Sequence, residues 1–137
     1  MPNPDLIPLL MPSARMMLTL GAVLGGLGVA AGAFGAHGLE NVSHVTPDRL
    51  AAFRTGVLYH MLHALTLFAV GLLLLQGIDV RLAGWLFIAG IVVFSGSLYV
   101  LVLTDTPILG AITPIGGTIF LVGWGVLAWR VWQDVAV

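Results

Sequence analysis

The sequence contains no cysteine and no lysine. Without cysteine there can be no disulfides, thiolate catalysis, cysteine-held metals or iron–sulfur clusters. Without lysine, five arginines face six acids, for a formal net charge of −1. No run of basic residues exists to grip nucleic-acid phosphates or anionic lipid headgroups, so nucleic acid is not an expected partner. Charge of either sign is scarce: 8% of the 137 residues are charged and 59% are hydrophobic. An ordinary soluble domain carries about 25% charged residues. A soluble globule of this size keeps too much surface to hide so many apolar side chains. A bilayer removes that problem. The composition excludes a soluble enzyme and a disordered chain, and it makes the lipid bilayer the first expected partner.

Four uncharged stretches are present: Met16–Ala36, Thr55–Leu75, Leu82–Leu103 and Ile108–Trp129. Each suits a hydrocarbon core of about 30 Å, which needs about 20 apolar residues per helix. With their helix signals the expected spans are 16–36, 52–75, 82–103 and 108–132. The fold class is an all-α integral membrane protein, a four-transmembrane-helix antiparallel bundle. Residues 1–14 are expected as a proline-rich tail and residues 15–137 as one transmembrane domain. Ala31-Gly-Ala33 resembles a signal-peptide cleavage site, but the first span exceeds the usual apolar region of about 7–15 residues and is read as retained.

Thr46-Pro47-Asp48 reads as an N-cap, a first-turn proline and a first-turn acid, so the second helix is expected to begin near Pro47. Asp79 can cap the third helix, and Thr106-Pro107 offers a start for the fourth. The short links force antiparallel neighbours. Arg15, Arg81 and Arg130 fall at one membrane face, Arg49 and Arg54 at the other. That majority places both termini in the cytoplasm of a bacterial cytoplasmic (inner) membrane, with Trp85, Trp129 and Trp132 as an aromatic belt there.

Glycine is the most telling residue present. Gly21, Gly25, Gly28, Gly32 and Gly35 share one stripe of the first helix, beside a second small stripe of Ala22, Gly26, Val29, Ala33 and Ala36. In lipid, close backbone approach drives helix association, because burying leucine gains little there. The first helix is therefore expected to pack on two faces and to show leucine to lipid or a partner. Gly90, with Ala83 and Ser97, repeats the device every seven residues in the third span, and Gly116 and Gly123 repeat it in the fourth. Pro114 cannot donate to the Gly110 carbonyl, so the fourth helix either kinks there or starts there after a short turn.

Polar residues inside the spans are few. Tyr59, His60 and His63 lie on the second helix, Ser95, Ser97 and Tyr99 late on the third, Thr113 early on the fourth, and His37 ends the first. At about 1.5 Å per residue, alternating helices bring these into one half of the bundle. They are either interhelical hydrogen bonds that fix register or a functional pocket, since ionisable groups inside a membrane are site candidates. His60 and His63, with His37 and Glu40 further out, could share a metal or haem iron, but a ligand set with no cysteine and one acid nearby is a weak signal for such a site. No catalytic constellation, phosphate loop, dinucleotide fingerprint or metalloprotease motif is present.

Gly32-Ala-Phe-Gly-Ala-His-Gly38, Tyr59 with His63, Phe94-Ser-Gly-Ser-Leu-Tyr99, and Thr113-Pro-Ile-Gly-Gly117 with Gly123-Trp124 stand in a familiar order. They resemble the small inner-membrane family catalogued as domain of unknown function 423, which includes YgdD-like and transmembrane protein 256-like proteins. The resemblance covers about Leu18–Arg130 and implies four spans without an established activity. His60 is less typical of it than Tyr59 and His63.

The expected function is that of a non-enzymatic structural or accessory membrane protein. It would pack through its glycine-rich first helix with itself or within a larger membrane complex, and it would need no cofactor or metal. Two alternatives stand beside it. One is a small transporter or ligand- or proton-binding protein using the polar cluster. The other is a haem- or metal-binding subunit.

Overall fold

Helix starts follow the capping chemistry. The Thr46 hydroxyl accepts a hydrogen bond from the Arg49 amide at 3.3 Å, and α2 (Pro47–Leu75) begins at the next residue, as expected. It ends on Gly77, whose φ of 81° allows the Ile78 amide to reach back to the Leu73 carbonyl at 3.2 Å. The Asp79 carboxylate then receives the Arg81 amide at 3.3 Å and opens the third span.

The computed structural model describes residues 4–135, and among these there is no strand. A short 3₁₀ turn, Pro4–Leu6, leads into α1 (Ile7–His37); α2 follows. Next come α3 (Arg81–Gly90), a π-helical stretch (Ile91–Ser95) and α4 (Gly96–Thr104), which form one rod over Arg81–Thr104. A 3₁₀ stretch, Pro107–Ala111, precedes α5 (Thr113–Val135). Among the described residues four helical rods are long and apolar enough to cross a membrane. α1 packs on α2, α2 on the third rod, and that rod on α5.

Three expectations change. α1 starts at Ile7 rather than Met16, so most of the segment expected as a tail is helical. Leu10 and Ala14 are buried in the core, and Pro8 sits in the first turn, where a missing amide is tolerated. Thr106-Pro107 starts a 3₁₀ turn, not the fourth α-helix. That helix begins at Thr113, with Pro114 in its first turn, so the carbonyl of Gly110 lies outside the helix and no kink is needed. Within the chain α1 packs on one of its two small-residue faces, because α2 is its one extensive neighbour.

Glycine sets the packing where helices meet. A Cβ on Gly21 would lie 2.8 Å from the Phe68 amide nitrogen. One on Gly35 would lie 2.8 Å from the Phe53 ring, and one on Gly28 would strike the Met61 sulfur. Gly32 has room, with Val57 at 3.4 Å, and Gly25 meets nothing within 4 Å. In the other spans Gly90 seats the Phe120 ring, Gly116 the Phe94 backbone and Gly123 the Phe87 ring.

The distribution of side chains is that of a lipid-solvated protein. Leu58, Leu62, Leu65 and Leu72 of α2 are exposed, whereas His60 and His63 on the same helix are buried. Ion pairs mark the two ends. Arg49 meets Asp105 at 2.6 Å at one, and Arg81 and Arg130 converge on Asp79 at the other. Trp85, Trp129 and Trp132 are exposed near the second end, where a belt is expected.

Candidate functional site

The polar residues of the spans fall into separate contacts on different sides of α2. His63 makes the most complete one. Its Nδ1 lies 2.7 Å from the Tyr59 carbonyl, which can only accept, so Nδ1 carries the proton. The Trp124 indole N–H then donates to Nε2 at 3.1 Å. Both ring nitrogens are thus used, and no lone pair is left for a metal or a proton. Phe120 stacks on the His63 ring with centroids 3.5 Å apart and planes 11° from parallel, and Phe87 and Tyr59 complete the aromatic surround.

His60 points elsewhere. Its Nδ1 is 3.0 Å from the Tyr99 hydroxyl on α4. Its Nε2 is buried against α1, facing the Leu24 carbonyl but without a hydrogen-bond partner. If the Tyr99 hydroxyl donates to Nδ1, Nε2 carries the hydrogen and points it at that carbonyl. Tyr99 in turn packs on Phe53 at 4.9 Å. Three residues apart on a helix means about 60° of rotation, enough to send the two histidines to different neighbours. They do not form a shared metal site. Among the described residues no group of three His, Cys, Asp or Glu is placed to hold a metal ion.

The serines and threonine are bonded in the same piecemeal way. Ser95, fully buried, donates to the Gly56 carbonyl at 2.7 Å and ties the π stretch to α2. Ser97 meets the Thr113 hydroxyl at 2.8 Å and ties α4 to α5. His37 is exposed on the last turn of α1, and its side chain makes no hydrogen bond, ion pair or ring contact among the described residues. Of the eight candidate residues, Tyr59 and His63 line a groove of about 450 Å³ between α2 and α5, walled by Phe94, Phe120 and Trp124.

Three contributors were not among the expected site residues: Trp124, Phe120 and His44, whose Nε2 donates to the Val102 carbonyl at 3.2 Å. For Trp124 a signal existed. The other three tryptophans sit within four residues of an arginine, while Trp124 lies six residues, about 9 Å along the helix, before Arg130. A tryptophan that deep must find a partner for its N–H.

Residues 31–117 match the family described as "Protein of unknown function (DUF423)". The chain belongs to the DUF423 family. It is 54% identical over 114 residues to the UPF0382 membrane protein YwdK of Bacillus subtilis, covering 80% of this chain and 90% of that one. It is 47% identical over 111 residues to the UPF0382 membrane protein SSP2132 of Staphylococcus saprophyticus, covering 80% and 91%. For the UPF0382 membrane protein SAB0533 of Staphylococcus aureus the figures are 44% over 111 residues, covering 80% and 89%. No solved structure matches the chain. The DUF423 family is thus one of bacterial membrane proteins here, and its description assigns no activity.

Proposed function

We propose that this DUF423 protein is a non-enzymatic membrane subunit that assembles with a second copy of itself through the open face of α1. One observation carries the reading. Gly21, Gly28 and Gly35 are consumed by packing on α2, yet Cβ atoms added at Gly25 or Gly26 would meet nothing within 4 Å. Ala22, Ala30 and Ala33 are exposed on the same side, so Ala22, Gly26 and Ala30 make a small-xxx-small row facing out. Leucine facing lipid costs nothing, whereas a row of small residues facing lipid forgoes the dispersion contacts that a close-packed helix would supply. Such a face is self-complementary across a two-fold axis. The subunit sits in the bacterial cytoplasmic membrane with both termini cytoplasmic, a placement supported by Arg15, Arg81 and Arg130 at that end.

The test is migration of the purified full-length protein in mild detergent. Gly25→Leu and Gly26→Leu should leave helicity unchanged and convert the dimer to monomer. Gly28→Leu, which strikes Met61 inside the protomer, should lower stability instead. Dimers that persist in both outward variants, or wild-type protein that is monomeric in every mild detergent, would remove the proposal.

A second reading is favoured by the groove beside His63. Its aromatic walls and position between α2 and α5 suit a flat, apolar membrane-soluble ligand. Leu121→Trp at its rim should abolish co-purification of such a ligand without unfolding the protein. Wild-type protein that extracts with no bound small molecule would count against it.

A further inference from the structure

Two arginines far apart in sequence meet at the end of the bundle where α1 begins and α5 finishes. Arg81 donates through Nε and Nη2 to both carboxylate oxygens of Asp79, each at 2.8 Å. Arg130 donates through Nε to the Asp79 carbonyl at 2.8 Å, and its Nη2 lies 3.7 Å from the same carboxylate. Two cations thus share one anion and leave one positive charge. Each guanidinium carries five N–H donors. Arg81 spends two of its five on Asp79 and Arg130 spends one on the carbonyl, so both keep hydrogens free. The sequence holds no run of basic residues, but the fold brings these two arginines together.

The two arginines line a groove of about 530 Å³ with Asp79, Leu82, Trp85 and Val126. The positive end of α3 opens onto the same place, since its first turn starts at Arg81. The composition of the walls discriminates between ligands. Leu82 and Trp85 are 61% and 51% exposed and run along α3 toward the membrane interior. A free inorganic anion has no use for that wall, whereas a phospholipid has a phosphate for the arginines and an acyl chain for the leucine and tryptophan. Asp134, one turn beyond Arg130, is not among the lining residues.

We propose that this groove binds the phosphate of an anionic membrane phospholipid, held between Arg81 and Arg130, with its glycerol and acyl region against Leu82, Trp85 and Val126. Arginine suits the task because its planar fork presents paired donors to phosphate oxygens. The site is independent of the α1 face and would persist in a monomer.

Native mass spectrometry of the delipidated full-length protein, titrated with phosphatidylglycerol, phosphatidylcholine or inorganic phosphate, tests this. Phosphatidylglycerol should bind, and the other two about tenfold more weakly or less. Arg81→Gln and Arg130→Gln should each weaken phosphatidylglycerol about tenfold. Asp79→Asn removes the competing anion and should tighten it, even though it breaks the same ion pairs. The opposite sign separates a binding site from a purely structural knot. Should an arginine variant fail to fold, Trp85→Ala leaves the ion pairs intact and should still weaken the lipid. The proposal is overturned if Asp79→Asn weakens binding as the arginine variants do. It is equally overturned if all variants retain phosphatidylglycerol like wild type, or if inorganic phosphate displaces it at equal concentration.

Discussion

Gly116 of α5 faces the backbone of Phe94 in the π-helical stretch, and replacing it with alanine tests whether that contact sets the distance between the two rods. The added Cβ would sit 2.6 Å from the Phe94 Cα and 2.7 Å from its Cβ. Carbon atoms in good contact lie about 3.5–4.0 Å apart. A backbone cannot swing aside as a side-chain tip can, so α5 must retreat by about 1 Å to reach that distance. Such a retreat stretches the Ser97–Thr113 bond from 2.8 Å and the Trp124–His63 bond from 3.1 Å past useful length. Overpacking costs about 1–3 kcal/mol, and each interhelical hydrogen bond lost in a membrane about 0.6 kcal/mol. Gly117 is the matched control, because a Cβ there meets the Phe94 ring at 3.8 Å, an ordinary contact. Both variants gain the same helix propensity, so it cancels in the comparison. Gly116→Ala should therefore be less stable than Gly117→Ala by about 2–4 kcal/mol. In a detergent thermal melt followed by tryptophan fluorescence, that is a gap of about 10 °C. Equal melting temperatures for the two variants would refute the packing argument.

Trp124→Phe leaves the buried His63 Nε2 without a donor and should cost about 1 kcal/mol; a double-mutant cycle with His63→Phe should recover a coupling of similar size. The acid limb of stability should depend on Asp79. The Arg81 guanidinium bonded to it, helped by Arg130, outweighs partial burial and holds its carboxyl below the usual carboxylate value. A depressed folded-state value means that the stabilisation is complete above the ordinary carboxylate range. It is lost as pH falls through the depressed one. Melting temperature should therefore drop on acidification in the wild type and drop less in Asp79→Asn.

Much of the fold was legible because membrane helices obey few rules. The four spans, the start at Thr46-Pro47 and the roles of Gly21, Gly28, Gly35, Gly90, Gly116 and Gly123 in packing all rest on length, capping and the spacing of small residues. The extension of α1 to Ile7 was hidden by Pro8, which the first turn tolerates, and by Pro12, which lies inside the helix and leaves the Pro8 carbonyl without its usual amide donor. The π stretch at Ile91–Ser95 has no residue that demands it; it exists where Phe94 meets Gly116 and Ser95 meets Gly56, contacts that only the assembled bundle supplies. The same holds for the histidines. A helical wheel places His60 and His63 near each other, but which rod each one faces depends on topology. That divides them between Tyr99 and Trp124. The Arg81–Asp79–Arg130 cluster joins residues 51 positions apart; the sequence places both arginines at one membrane face, but their meeting on Asp79 depends on the packing of α5 against the third rod.

Because the chain has no cysteine, single cysteines introduced on α1 report their neighbours without background. Ala22→Cys, Gly26→Cys and Ala33→Cys, oxidised in native membranes, should each yield a disulfide-linked dimer of this chain. Leu65→Cys, exposed on the lipid face of α2, should not. Cross-linking at Leu65→Cys with none along the α1 face would contradict the account.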